Sequence, residues 1–260
     1  MVDLSDMKNI PSLAASHRAI RYPELDALRG IAVLAMALYH LCFDLDYFYG
    51  YDLRFGAAGW KFAAQSIATL FLILVGVNFV LSWSRTPVHK RMQKTLKRAG
   101  VLLLCASIIS IATWFVAPDA FVKFGILHLI GVSALIQPLF VRFHAWNVLI
   151  GTAIFSVGQW LLSLTTSSAF LFPLGIKYPA FASLDYYPLL PWFGVVLIGM
   201  GMASIFYLPQ RHSSLAWLSF MRYPRWLLWS GRQALFLYLL HQPVILLTLF
   251  LLLRLSNSVG

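Results

Sequence analysis

Asp26, Arg29, His40 and Asp44 stand in LDALRGIAVLAMALYHLCFD, residues 25–44, a stretch otherwise apolar enough to dissolve in lipid. On a helix turning by about 100° per residue, taking Arg29 as zero, His40 falls near 20° and both Asp26 and Asp44 near 60°. One narrow stripe therefore carries all four groups. An ionised side chain at the centre of a bilayer costs several kcal/mol. Four on one stripe point to a helix lining a hydrated or substrate-filled passage. Histidine suits proton handling near neutral pH, and a carboxylate one turn away can orient its ring. A cationic guanidinium at the mouth suits a phosphate-bearing donor. Two plainer readings stand beside these. His40 and Asp44, at i and i+4, can lock the helix to its neighbours, and Arg29 can snorkel to the interface.

Other polar groups sit in apolar surroundings. His128 opens one apolar run and His241 lies in another; each suits a substrate contact or a helix-packing hydrogen bond. Asp185 precedes a further run, where it can cap a helix or hold an incoming hydroxyl or amine. The 165–186 stretch gathers Phe170, Phe172, Tyr178, Phe181 and Tyr186. These rings can stack on a sugar or form an aromatic belt at the bilayer edge.

The elements that must position these groups are membrane helices. The chain has 260 residues, 60% of them hydrophobic and 11% charged, with a mean hydropathy of +0.77. A soluble domain cannot hide that much apolar surface. Runs near 28–48, 58–82, 99–117, 124–141, 146–164, 187–207 and 233–253 predict an all-α polytopic bundle of about seven spans. A two-residue alternation typical of spanning strands is absent. Residues 1–20 read as a polar cytoplasmic tail without a cleavable signal, and 21–260 as one transmembrane domain.

Basic residues set the orientation. Four lie before residue 30, six in 83–98, one at Arg142 and four in 208–232. Arg54, Lys61, Lys123, Lys177 and Arg254 lie on the opposite side. The positive-inside rule then puts the N-terminus in the cytoplasm. The net charge of +11 thus reads as attraction to an anionic lipid leaflet and implies no nucleic-acid partner. The Trp- and Arg-bearing segment 214–229 reads as a helix lying in the cytoplasmic interface. Cys42 and Cys105 sit inside apolar runs and suggest neither a disulfide framework nor a metal site.

The fragments LDALRGIAVLAMALYH, FGILHLIGVS, DYYPLLPWFGVVLIGMG and GRQALFLYLLHQPV occur in that order. Together they resemble the bacterial branch of the heparan-alpha-glucosaminide N-acetyltransferase catalytic-domain family. That family is similar to the type 3 membrane acyltransferases, whose Arg and His spacing Arg29 and His40 share. The resemblance covers about residues 20–253. It implies an integral inner-membrane enzyme that moves an acetyl group from cytoplasmic acetyl-CoA to a glycan, or another hydroxyl or amine acceptor, on the outer side. By this likeness His40 is the catalytic base or transient acyl carrier, Arg29 is a contact at the CoA side, and Asp26 is the acidic residue of the family's Asp-x-x-Arg-Gly start, placed with the catalytic set. The residues themselves add Asp44 to that set, as the group orienting the His40 ring, and Arg98 and Arg232 beside Arg29 as holders of the CoA phosphates. They also offer His128, Asp185, Tyr186 and His241 to the acceptor. No metal is implied, and a homo-oligomer is compatible with it. Eukaryotic members are longer and place Asn where His40 stands, which marks a departure. A proton-coupled transporter or flippase, using the same histidines as a relay, is the competing reading.

Overall fold

The structure is a computed structural model that describes residues 22–54, 58–208 and 221–259. The polar tail, Trp217 and most of the expected interfacial segment before residue 221 fall outside the described residues. Eight α-helices are described: α1 Pro23–Tyr49, α2 Ala58–Arg85, α3 Val88–Val116, α4 Ile126–Phe140, α5 Asn147–Leu161, α6 Leu189–Phe206, α7 Arg225–Arg232 and α8 Ala234–Val259. Short 3-10 turns occupy Val141–Trp146 and Ala169–Leu174. Among the described residues there are two isolated β-bridges and no extended strand.

The helices start and stop where backbone chemistry requires. Proline opens α1 at its first turn, where its missing N–H is not needed, and Gly50 closes it at φ 71°, in the left-handed region. Pro87 and Pro188 precede α3 and α6. Between them run largely apolar segments, as expected where lipid or neighbouring helices cover most of the surface.

Among the described residues, six segments are long and apolar enough to cross a membrane. The fourth, Ile126–Leu161, covers most of both expected spans, 124–141 and 146–164. Its halves, α4 and α5, are 15 residues each, or about 22 Å, short of the ~30 Å hydrocarbon thickness. They are separated at His144, whose φ of 44° and ψ of −121° break the helix. The expected spans 124–141 and 146–164 thus correspond to α4 and α5, two short helices joined by a 3-10 turn within an all-α polytopic bundle.

α6 is the most enclosed helix, with Leu197, Val196 and Met200 fully buried. It packs between α2 and α5. Glycines permit that approach: a Cβ at Gly199 would meet the backbone of Ile73, and one at Gly194 would meet that of Gly151. Without a hydrophobic effect between helices in lipid, such close backbone contact is the main source of association.

The ends sort into two faces. Tyr22 at the start of α1 meets Tyr207 at the end of α6, with ring centroids 4.8 Å apart. Arg85 at the end of α2 lies 5.1 Å over the Tyr22 ring. This is the basic face. At the other face, Tyr187 N–H donates to the Phe124 carbonyl, and Trp60 Nε1 to that of Leu53. α3, at 29 residues, is about 44 Å long, so its first turns carry Lys90, Arg91, Lys94, Lys97 and Arg98 beyond a ~30 Å core.

Candidate active site

The first helix delivers its polar stripe to two places, one at each end. Near the basic face, Arg29 is held from several sides. Its Nη1 lies 3.0 Å from Asp26 Oδ1, its Nη2 donates to Asn78 Oδ1 at 3.0 Å, and Nη1 reaches the Gly231 carbonyl at 3.4 Å. Asp26 also faces Arg232 Nε at 3.4 Å. Arg29 is therefore a fixed group, not one extending freely towards the interface. Its neighbours come from α2 and α7. Helix α7 lies close against α1 because Gly30 and Gly231 leave no side chain between the backbones; a Cβ on Gly231 would collide with the Asp26 carbonyl.

α7 occupies part of the expected interfacial helix. It buries Leu227, Ser230 and Gly231 and leaves Trp226 and Trp229 exposed. It thus serves as a bracket on α1 as well as a surface element.

A cavity of about 460 Å³ opens beside this bracket, within the usual range of about 300–1,000 Å³ for small-molecule sites. Arg29, Lys94, Lys97, Arg98 and Arg232 contribute to its lining. Leu74, Val75, Leu102 and Ile130 supply apolar wall, and Tyr238 of α8 is also part of it. All three arginines expected to meet a phosphate-bearing donor line one space. The two lysines of α3 were not singled out in the sequence. Their spacing from Arg98, at i−4 and i−1, was the available signal.

The outer half of the stripe is built with α8. His40 and His241 face each other, with ring centroids 4.7 Å apart and planes at 72°. His40 Nδ1 lies 2.9 Å from the Met36 carbonyl, and His241 Nδ1 lies 2.6 Å from that of Tyr238. A carbonyl only accepts, so each Nδ1 carries a proton, and each neutral ring keeps its lone pair on Nε2. His241 Nε2 is buried and has no hydrogen-bond partner among the described residues. The Tyr238 and His241 rings are 5.7 Å apart. Tyr238 therefore joins the cavity to the imidazole pair. His40 itself is not part of the wall of this cavity. The stripe is divided between a basic cavity and a histidine pair, with Tyr238 between them.

Asp44 does not orient His40 through a hydrogen bond. The Met36 carbonyl holds that ring, and the fully buried Asp44 instead accepts from Gln242 Nε2. Nor does Asp26 stand with His40. Fourteen residues along one helix separate them by about 21 Å, and Asp26 serves the two arginines. Asn78 and Gln242 were missed in the sequence. An amide inside VGVNFV and another beside His241 in LHQPV were the signals.

The acceptor candidates have local duties too. Asp185 Oδ2 accepts from Ile126 N–H at 3.0 Å, and His128 Nδ1 accepts from Gly125 N–H at 3.3 Å. Both cap the start of α4, where unpaired N–H groups and the helix dipole favour an acceptor. Asp185 thus caps α4, not the adjoining α6. Burial raises its carboxyl pKa, while the Ile126 N–H and nearby His40 oppose that rise. Tyr186 donates its hydroxyl to the Phe172 carbonyl at 2.7 Å, and burial raises its pKa to about 12. Phe181 packs against Phe172, Tyr178 and Tyr186. These loop rings form a small core of their own. Phe170 stays outside it, 90% exposed.

Residues 21–243 match the family model described as heparan-alpha-glucosaminide N-acetyltransferase, catalytic. Neither a curated protein nor a solved structure matches the chain.

Proposed function

Because the chain belongs to the heparan-alpha-glucosaminide N-acetyltransferase catalytic family, we propose that this membrane acetyltransferase takes its acetyl group from acetyl-CoA at the basic face. It passes the group to a glycan, or another hydroxyl- or amine-bearing acceptor, reaching the histidine pair from the other face. The observation that carries this reading is the cavity: several cations at one end, and Tyr238 leading to two imidazoles. Phosphates fit that cation set, above all the guanidiniums. The apolar wall suits a thioester-bearing arm and keeps bulk water from the acetyl group.

On this reading Arg29, Arg98 and Arg232 hold the donor, and Asp26 fixes two of them in place. His40 stands at the reacting carbonyl, either taking the acetyl group or taking the acceptor's proton. General-base assistance contributes about 10²–10⁴ in rate, and positioning adds to it. The basic face is the cytoplasmic one, in keeping with the distribution of Lys and Arg. For a bacterial inner-membrane protein this faces the compartment that supplies acetyl-CoA.

The test uses purified protein in liposomes with radiolabelled acetyl-CoA and external D-glucosamine. Wild type is expected to transfer acetyl or release CoA, and His40→Ala to lose that activity while remaining folded. Equal turnover in both removes His40 from the reaction. Failure of wild type to bind acetyl-CoA favours the transporter reading.

A further inference from the structure

Resting on that acetyltransferase reading, we propose that His241 is a second catalytic residue, the base that deprotonates the acceptor, while His40 carries the acetyl group.

The tautomers give each ring one usable nitrogen. Backbone carbonyls occupy both Nδ1 positions, at 2.9 Å for His40 and 2.6 Å for His241. What remains is a pair of Nε2 lone pairs on rings in contact. A buried nitrogen without a partner carries a desolvation cost that a hydrogen-bonding ligand relieves. Among the described residues, His241 Nε2 is such a nitrogen. An acceptor hydroxyl, or the N–H of an acceptor amine, is the donor that it lacks.

The surroundings divide the two roles. Asp44 lies one helical turn from His40, and Asp185 lies within electrostatic reach of it. A cation formed on His40 therefore has carboxylates nearby. His241 touches both His40 and Tyr238, and Tyr238 lines the cavity.

The steps balance. His40 Nε2 attacks the thioester carbonyl, the C–S bond breaks, and CoA leaves as a thiolate. The acetyl-imidazolium keeps its Nδ1 proton on the Met36 carbonyl. The acceptor oxygen or nitrogen then attacks the acetyl carbon and loses its proton to His241 Nε2, and the bond to His40 breaks. His241 passes that proton to the thiolate, and both rings return to neutral. The pair carries one positive charge at a time, which suits a water-poor site.

The experiment uses full-length protein in liposomes, radiolabelled acetyl-CoA and D-glucosamine, with His40→Ala, His241→Ala and His241→Asn. The asparagine amide can still donate to the Tyr238 carbonyl, so it preserves the helix contact while lacking a basic nitrogen. Both His241 variants are expected to lose transfer by about 10²–10⁴-fold with an unchanged KM for acetyl-CoA. They should accumulate label on the protein at His40, and external imidazole should restore part of the turnover of His241→Ala. His40→Ala should take up no label. Transfer near the wild-type rate in His241→Asn overturns the proposal, as does loss of protein labelling in both folded His241 variants. If wild type transfers acetyl without labelling on His40 in any variant, the division of roles is wrong but the acetyltransferase reading stands. If wild type neither binds acetyl-CoA nor transfers acetyl, the underlying reading fails.

Discussion

Gln242 Nε2 lies 3.0 Å from both carboxylate oxygens of Asp44, tying α8 to α1 one turn beyond the facing histidines. Asp44 has no exposed surface. Removing its partner leaves a buried acceptor unsatisfied, whereas neutralising the carboxylate does not. Gln242→Leu is therefore expected to cost about 1.5–3 kcal/mol of stability, and Asp44→Asn less. Unfolding of the two variants in mixed detergent micelles measures the difference. Equal losses would mean that the pair does not join the helices.

The α1–α7 crossing sets the position of Arg29 and Arg232. Gly231→Ala introduces a Cβ against the Asp26 carbonyl. Overpacking of this kind costs about 1–3 kcal/mol. The expected result is a raised KM for acetyl-CoA with a smaller change in kcat, read from initial rates in liposomes. An unchanged KM would separate the bracket from donor binding.

Lys94 and Lys97 sit with Arg98 at the basic end of the cavity. Replacing both lysines with Gln is expected to raise the Kd for acetyl-CoA about tenfold, equivalent to about 1.4 kcal/mol. It should also flatten the salt dependence of binding, because fewer screened charges contribute. Titration calorimetry at two ionic strengths tests both effects. A Kd and a salt slope that match wild type would place the phosphates elsewhere.

Burial raises the Asp185 pKa above its ordinary 3.8. Between these two values the folded protein binds more protons than the unfolded chain, so stability falls as pH rises. This contribution is fully present below pH 3.8 and is lost once pH has passed the raised folded value. Asp185→Asn retains an oxygen to accept from Ile126 N–H and has no charge to bury. Its melting temperature should vary less with pH across that window than that of wild type. A parallel dependence would argue against Asp185 as the titrating group.

The proposed orientation is open to labelling. Lys90 lies on the basic face and Lys177 in the loop at the other. In intact cells, with Cys42 and Cys105 replaced by Ser, Lys177→Cys should react with a membrane-impermeant maleimide, and Lys90→Cys only after lysis. The reverse pattern would invert the protein in the membrane.

Much of the fold was determined by the sequence alone, because lipid leaves a backbone few choices. An apolar run must form a helix to satisfy its own N–H and C=O groups, and Pro23, Gly50, Pro87 and Pro188 mark where such runs begin or end. The polar stripe of α1 followed from helical periodicity. Three relations needed the tertiary structure. Asp26 and His40 share a stripe but lie at opposite ends of the helix, and angle alone does not report which neighbour each one meets. Asp44 is one turn from His40 yet bonds Gln242, because α8 packs alongside α1 and offers an amide at that level. The partner of His40 is His241, 201 positions later in the chain. No local pattern encodes that contact; it arises from the packing of α8 along α1, with α7 bracketed against the same helix at Gly30 and Gly231.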